Sequence, residues 1–358
     1  MGKLIQALQL KKEAVLLDSK PFIAKTFLAI ATAYVIAINH PVASGDMISV
    51  LFGLILTLEP VNVTGLRRGW EQFFATFIGA VTTAIIISIL GINAITAGVS
   101  VALTLYICLK VNWREVSPVA LFTAIYMTQY IQLDAMGNPS VLLTFRLRII
   151  ALGFGVFTAI VFNFLFSLIQ YRKMGNKRVI FLMKSLLNHM NTLELAMRSG
   201  DAASFRSCQQ ALASVFNDID TTTALFEDML KENAFVRKLM GVTDERLRAK
   251  IALTKRLRVF CHLLFDTQYV LTENSTLLSQ ATNRLAIADA LHELMNQMGN
   301  LKDLAEGRST KLTSVKIDLP NDVESINLSR IMNNLMEMNV VLGRINVNLN
   351  TIITINKK

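Results

Sequence analysis

The chain has 358 residues, is 53% hydrophobic and 17% charged, and carries a net charge of +10. No basic run is interleaved with aromatic residues and no nucleic-acid motif occurs, so the charge argues for anionic lipid rather than nucleic acid. Cys108, Cys208 and Cys261 have no metal or redox spacing and read as free thiols.

Residues 1–20 alternate apolar and charged groups, with Leu4, Ile5, Leu8 and Leu10 set among Lys3, Lys11 and Lys12. No small-residue cleavage site follows, so this is no cleavable signal peptide. The pattern predicts a short amphipathic helix on the inner membrane surface. Six apolar runs come next: Pro21–Ile38, Met47–Leu58, Gln72–Leu90, Ala94–Val111, Val116–Leu133 and Val141–Gln170. A bilayer core about 30 Å thick takes about 20 helical residues, and most of these runs fit. Met47–Leu58 is short and stops at Glu59-Pro60.

Basic residues fall only on alternate loops. They occur before the first run, at Arg67 and Arg68, at Lys110 and Arg114, and at Arg172, Lys173, Lys177 and Arg178. The loops Asn39–Asp46, Gly91–Asn93 and Asp134–Ser140 have none. Positive charge stays on the cytoplasmic side. This predicts six spans in a plasma membrane, with both termini in the cytoplasm.

Charge density changes near Tyr171. Residues 1–170 hold 18 charged groups and residues 171–358 hold 44. The expected domains are therefore an N-terminal segment 1–20, a six-helix membrane domain 21–171 and a cytoplasmic helical domain 172–358. The whole chain is expected to be all-α. In the last domain Val179–Arg198, Asp201–Glu232, Asp244–Thr272 and Thr282–Leu304 carry apolar residues at helical spacing. Gly307–Pro320 reads as a loop, and Asn321 with Glu324 as a capping-box-like helix start. The final stretch is sparsely charged but rich in asparagine, which is costly in lipid, so no seventh span is expected. Its end, Ile345–Thr351, alternates like a strand.

No catalytic constellation is present. His40, His189, His262 and His292 are scattered, and no zinc-protease, nucleophile-elbow or phosphate-loop motif occurs. Gly153-Phe-Gly155 lies inside a membrane helix and reads as close helix packing. No cofactor and no metal is called for, and the chain reads as a non-enzyme.

The informative residues are polar groups in the membrane runs. Arg146 and Arg148 lie about 8–10 Å into the sixth helix from its outer end, where topogenic logic disfavours arginine. They either snorkel to headgroups or line an anion path. They project about 200° apart, so only one can face a given path, and Arg148 is the stronger candidate. Arg67 and Arg68 serve either as topogenic anchors or at a cytoplasmic mouth. Glu59 is placed to pair with one of these arginines. Lys25, a turn inside the first helix, is expected to snorkel. Gln72-x-x-Ala75-Thr76-x-x-Gly79 aligns with Arg148-x-x-Ala151-Leu152-x-x-Gly155 at an offset of 76 residues, matching at Ala75/Ala151 and Gly79/Gly155. Each copy opens the third helix of a three-span half, so the halves would form an inverted repeat of the transporter kind.

Glu59-Pro60-x4-Gly65-x-Arg67-Arg68-Gly69, followed by Ala75-Thr76-x-x-Gly79-Ala80, resembles the fusaric acid resistance and aromatic acid exporter superfamily, as does Arg148–Gly155. The plant aluminium-activated malate transporters share that layout of six spans and a cytosolic helical domain. The resemblance covers about residues 20–172. It implies export of small organic, including aromatic, acid anions by a homodimer, with Arg67, Arg68, Arg146 and Arg148 along the path. Gln72 and Ala75 depart from the usual R-x-x-G-T-x-x-G pattern in the first copy, and Ala151 and Leu152 in the second. The rival reading is a membrane-anchored scaffold or sensor whose soluble domain carries the function. Six spans with embedded arginines are excessive for an anchor.

Overall fold

The computed structural model describes residues 13–111, 113–129, 132–133, 136–199, 202–273, 281–308 and 326–357. They are helical apart from turns and one two-residue ribbon, and they divide into two compact units. Residues 21–171 form one unit, and residues 13–20 join 172 onward in the other.

The first unit contains α1 (Ser19–Ile38), the single turn α2 (Pro41–Ser44), α3 (Met47–Thr57), α4 (Asn62–Leu90), α5 (Ala94–Val111), α6 (Trp113–Gln129) and α7 (Val141–Gln170). Four helices are long and apolar enough to cross a membrane: Ala14–Ile38, Asn62–Leu90, Ala94–Val111 and Val141–Gln170. The other two runs fall short of that length. Helix α3 has 11 residues, about 16 Å, and α6 has 17, about 26 Å. Helix α3 starts where the Asp46 carboxylate accepts from Ser49 N (3.0 Å) and stops because Pro60 forces the preceding residues out of helical dihedrals. The expected fifth run does not stay helical to Leu133. Gln132–Leu133 (β1) pairs antiparallel with Pro139–Ser140 (β2), and Gln132 N donates to Thr144 Oγ1 (2.9 Å).

Glycine and alanine set the packing of this unit, as they do where helices meet without water to drive them together. Ala29, Ala33 and Ala37 of α1 share a core cluster with Val50 and Leu54 of α3 and Ala151 and Ala159 of α7. A Cβ on Gly155 of α7 would collide with the Val50 carbonyl of α3. One on Gly79 of α4 would collide with the Ala120 carbonyl of α6. The contacts also fix directions. Helices α3 and α7 run parallel, since Ser49 meets Arg148 and Thr57 meets Asn163. Helices α4 and α7 run antiparallel: Gly65 lies at Asn163, Gly69 at Val156 and Phe77 at Phe145.

The second unit holds α8 (Asn176–Ser199), α9 (Ala202–Lys231), the short α10 (Ala234–Leu239), α11 (Asp244–Glu273), α12 (Ala281–Ala305) and α13 (Ile326–Lys357). Helix α11 packs on α9 and α13, α13 on α12, α12 on α8, and α8 on α9, which closes a ring of five. His189 of α8 and Gln268 of α11 meet inside it (3.0 Å). The strand-like alternation at Ile345–Thr351 is helical. Val341, Ile345 and Leu349 are all buried, and their four-residue spacing seats one helical face in the core. The expected helix start at Asn321 and Glu324 lies outside the described residues.

The described part of the N-terminal segment joins the second unit. Ala14–Asp18 is a 3-10 turn belonging to the second unit. Ala14 N donates to Asp218 Oδ1 (2.9 Å), and Asp18 pairs with Arg178 (2.5 Å). These polar anchors are not visible in a hydropathy pattern. Residues 1–12 lie outside the described residues.

Arg246 and Lys250, one turn apart on α11, are both buried at residues 172–174 of the same unit. Arg246 Nη2 donates to Arg172 O (3.3 Å), and Lys250 Nζ to Met174 O (3.4 Å). Burial pushes the Lys250 ammonium down to about 7, Arg246 pushes the same way, and Asp18 opposes. The unfolded chain keeps this proton up to the ordinary value of 10.5. Between the two values the unfolded state binds more protons, so stability rises with pH across that window. Lys250→Met is therefore expected to raise the apparent melting temperature of the detergent-solubilised protein at pH 7 and below. The gain should shrink steadily towards pH 10.5. A gain independent of pH would show that Lys250 holds its proton equally in the folded and unfolded chain, and that burial does not shift it.

Candidate functional site

The two ends of the short helix α3 carry two buried polar clusters, about 12 Å apart along its axis. At its N-terminal end lies Arg148 of α7, 2% exposed. Its Nη1 donates to Ser49 Oγ (3.0 Å) and its Nη2 to Thr123 Oγ1 of α6 (3.1 Å). The guanidinium carbon stands 4.1 Å from the Tyr126 ring centroid, a cation–π contact. Ser49 passes the interaction on, because its hydroxyl donates to Asp46 Oδ2 (2.5 Å). The cation is thus balanced by a carboxylate one hydroxyl away rather than by a direct ion pair. Arg148 Nε is buried with no hydrogen-bond partner. A guanidinium recognises a carboxylate along an edge of two N–H groups, so one recognition edge here is incompletely filled.

Arg146, two residues away, is exposed, as the helical angle between the two requires. Arg67 and Arg68 are exposed too. Arg67 pairs with Glu71 (2.7 Å) and Arg68 with Glu59, as the sequence allowed for one of them. The five candidate residues therefore do not form one cluster. Arg148 is buried at one end of α3, while Arg67, Arg68 and Glu59 lie around its other end.

Lys25 does not snorkel. It is 4% exposed, and its ammonium donates to the Glu59 carbonyl (2.5 Å) and to Asn163 Oδ1 (2.9 Å). Asn163 Nδ2 in turn donates to the Thr57 carbonyl (3.0 Å). The reason is the break at Pro60. It frees carbonyls at the C-terminal end of α3, and buried carbonyls in an apolar unit need donors. A cation at a helix C-terminus is also favoured by the helix dipole. Gln72, aligned with Arg148 in the repeat, donates to Thr57 Oγ1 (3.1 Å) in this second cluster.

A third feature joins α4, α5 and α6. The buried residues of α5 are Thr96, Ser100, Thr104 and Cys108, one per turn. The hydroxyls of Thr96, Ser100 and Thr104, and of Thr76 and Thr83 on α4, are buried without hydrogen-bond partners. The column ends at a cavity of about 120 Å³ lined by Ile92, Asn93, Thr96, Ala97, Thr128 and Gln129. Sequence reasoning passed over Ser49, Thr123, Tyr126 and this column. The four-residue recurrence of Thr96, Ser100, Thr104 and Cys108 was the signal available.

Among the described residues no group of His, Cys, Asp and Glu is placed to hold a metal ion. Compared with known proteins, residues 20–198 match the family model described as aromatic acid exporter family member 1. No curated protein matches the chain.

Proposed function

Because the chain belongs to the aromatic acid exporter family, we propose that it exports small organic acid anions, aromatic carboxylates among them, across the cell membrane. The protein works as a homodimer, each protomer crossing the bilayer six times with both termini in the cytoplasm. The observation that carries this reading is the buried Arg148 guanidinium, whose Nε has no partner and whose counter-charge is one hydroxyl removed. Charged groups buried in a membrane unit are expensive and usually mark a substrate path. The ring of Tyr126 against the guanidinium gives an aromatic acid a flat neighbour.

The helix directions support six alternating crossings. Such a chain needs α3 and α7 parallel and α4 and α7 antiparallel, and that is how their contacts run. The two motif copies then lie on oppositely directed helices, as in an inverted repeat. The hydroxyl column of α4 and α5 offers polar groups along a route to Thr123 and Arg148.

Two measurements test the reading. Purified protein in proteoliposomes should carry an aromatic carboxylate such as benzoate outward down its gradient. An imposed pH gradient should change the rate if protons are coupled to transport. Absence of carboxylate flux in either condition would overturn the function. Single cysteines placed at Ser44 and Asn138 should label from outside intact cells, while those at Thr64 and Lys177 should not. Outside labelling at Lys177 would overturn the orientation.

A further inference from the structure

We propose that α13 pairs antiparallel with α13 of a second copy of this chain, and that this helix pair is a dimer interface of the second unit. The inference rests on the homodimer proposed above and not on transport.

One face of α13 is buried in the five-helix ring, through Leu328, Ile331, Leu335, Met338, Leu342 and Ile345. The opposite face is exposed and does not look like a solvent face. Asn333, Met336, Val340, Gly343, Val347 and Asn350 are all exposed and recur at alternating intervals of three and four residues. This is the spacing of a second helix-packing seam. Met336, Val340 and Val347 are each about half exposed, at 48%, 47% and 64%. A Cβ on Gly343 would meet nothing within 4 Å. The charged residues near the seam are few: Arg330, Glu337 and Arg344 are exposed, and Arg330 is already paired with Asp266 of α11.

The sequence of the seam is complementary to its own reverse. With Val340 set opposite Gly343 of an antiparallel copy, Met336 falls opposite Val347. Asn333 then falls opposite Asn350, and Ser329 opposite Thr354. On one flank Glu337 meets Arg344 of the other copy, twice by symmetry. On the other flank Asn339 meets Asn346. Apolar groups therefore meet apolar groups, amides meet amides and opposite charges meet. Sliding the pair by one heptad in either direction places Glu337 on Glu337 or Arg344 on Arg344. A parallel pair leaves both charges without a partner. Like charges disfavour wrong registers, and asparagines within a seam fix the right one. A self-complementary patch of this kind generates a closed two-fold dimer rather than a chain of copies. It also accounts for a final helix that is sparsely charged and rich in asparagine without being a membrane span.

The test uses the full-length protein in detergent micelles or nanodiscs, with Cys108, Cys208 and Cys261 replaced by Ser. Val340→Cys and Gly343→Cys are introduced together. Both positions are exposed, so the fold of the protomer is untouched. Oxidation should give a cross-linked dimer in the double variant, joined between residue 340 of one protomer and residue 343 of its partner, as peptide mapping reads it. Cysteine at 340 alone should cross-link far less. Efficient 340-to-340 cross-linking would mean a parallel pair and would overturn the register. A dimer by mass that cross-links at neither position would overturn this interface while leaving the homodimer standing. Charge reversal provides an independent arm. Glu337→Lys should weaken the dimer roughly tenfold, because it creates two like-charge contacts. Glu337→Lys with Arg344→Glu should restore it. Failure of the double reversal to restore dimerisation would overturn the pairing of these two side chains.

Discussion

Replacing Arg148 by Gln is expected to reduce carboxylate flux by two orders of magnitude or more while leaving the protein folded and inserted. A neutral amide costs less to bury than a guanidinium, so insertion should not suffer. Gln keeps a donor for Ser49 or Thr123 but loses the fixed positive charge. A carboxylate entering an apolar unit then meets Asp46 with no cation between them, which is repulsive at short range in a low dielectric. Loss of a hydrogen bond to a charged group in such a place is worth about 1.5–3 kcal/mol, and loss of the charge adds to it. Arg148→Lys should be intermediate, because it restores a point charge without the planar fork. Arg146→Gln, at an exposed position on the far side of the same helix, should transport close to the wild-type rate. The readout is initial benzoate efflux from proteoliposomes, normalised to protein that elutes as a single folded species. Wild-type flux and anion selectivity in Arg148→Gln would reassign this arginine to a purely structural tie between α3, α6 and α7.

Sequence periodicity located the helices of both units well, because an apolar face that must be buried leaves a regular trace. It also separated Arg148 from Arg146, since two residues on one helix cannot share a face. What it could not supply was the depth at which polar groups lie. Lys25 sits a turn inside its helix, where a long side chain ordinarily reaches the interface. The structure turns it inward because Pro60 leaves carbonyls that need a donor, and that demand arises 34 residues away. Asn163 has the same explanation and gives no local signal in an apolar run. The ends of α6 were misplaced for a related reason. Gln132 and Leu133 continue the hydropathy of the helix, but the β1–β2 ribbon and Thr144 claim their backbone groups. The N-terminal turn is held on the second unit by two carboxylates, Asp218 accepting from Ala14 N and Asp18 pairing with Arg178. Long-range polar pairings decide each of these cases, and single-residue hydropathy does not record them.

The weak repeat gains physical content from its glycines, and this yields the second large effect. Gly155, in the second copy, seats α7 against the backbone of α3. Gly79, in the first, seats α4 against the backbone of α6. Both contacts are with main-chain atoms, which cannot rotate away as a side chain would. Leu at either position should force the paired helices apart, costing at least the 1–3 kcal/mol typical of overpacking. Separation would also break the polar clusters that depend on those pairs. Parting α3 from α7 would remove the Arg148–Ser49 and Asn163–Thr57 bonds together. Gly155→Leu and Gly79→Leu are therefore expected to lose most of the folded, monodisperse protein in detergent and to lower its melting temperature by many degrees. Gly98→Leu, on α5 with open space around its Cβ, should behave as wild type. Gly153→Ala should fall between, because its Cβ would meet only the movable Phe73 ring at 3.3 Å. If Gly155→Leu and Gly98→Leu prove equally well folded, the close approach of α3 and α7 is wrong. The antiparallel relation of the two motif copies would then rest on α4 and α7 alone.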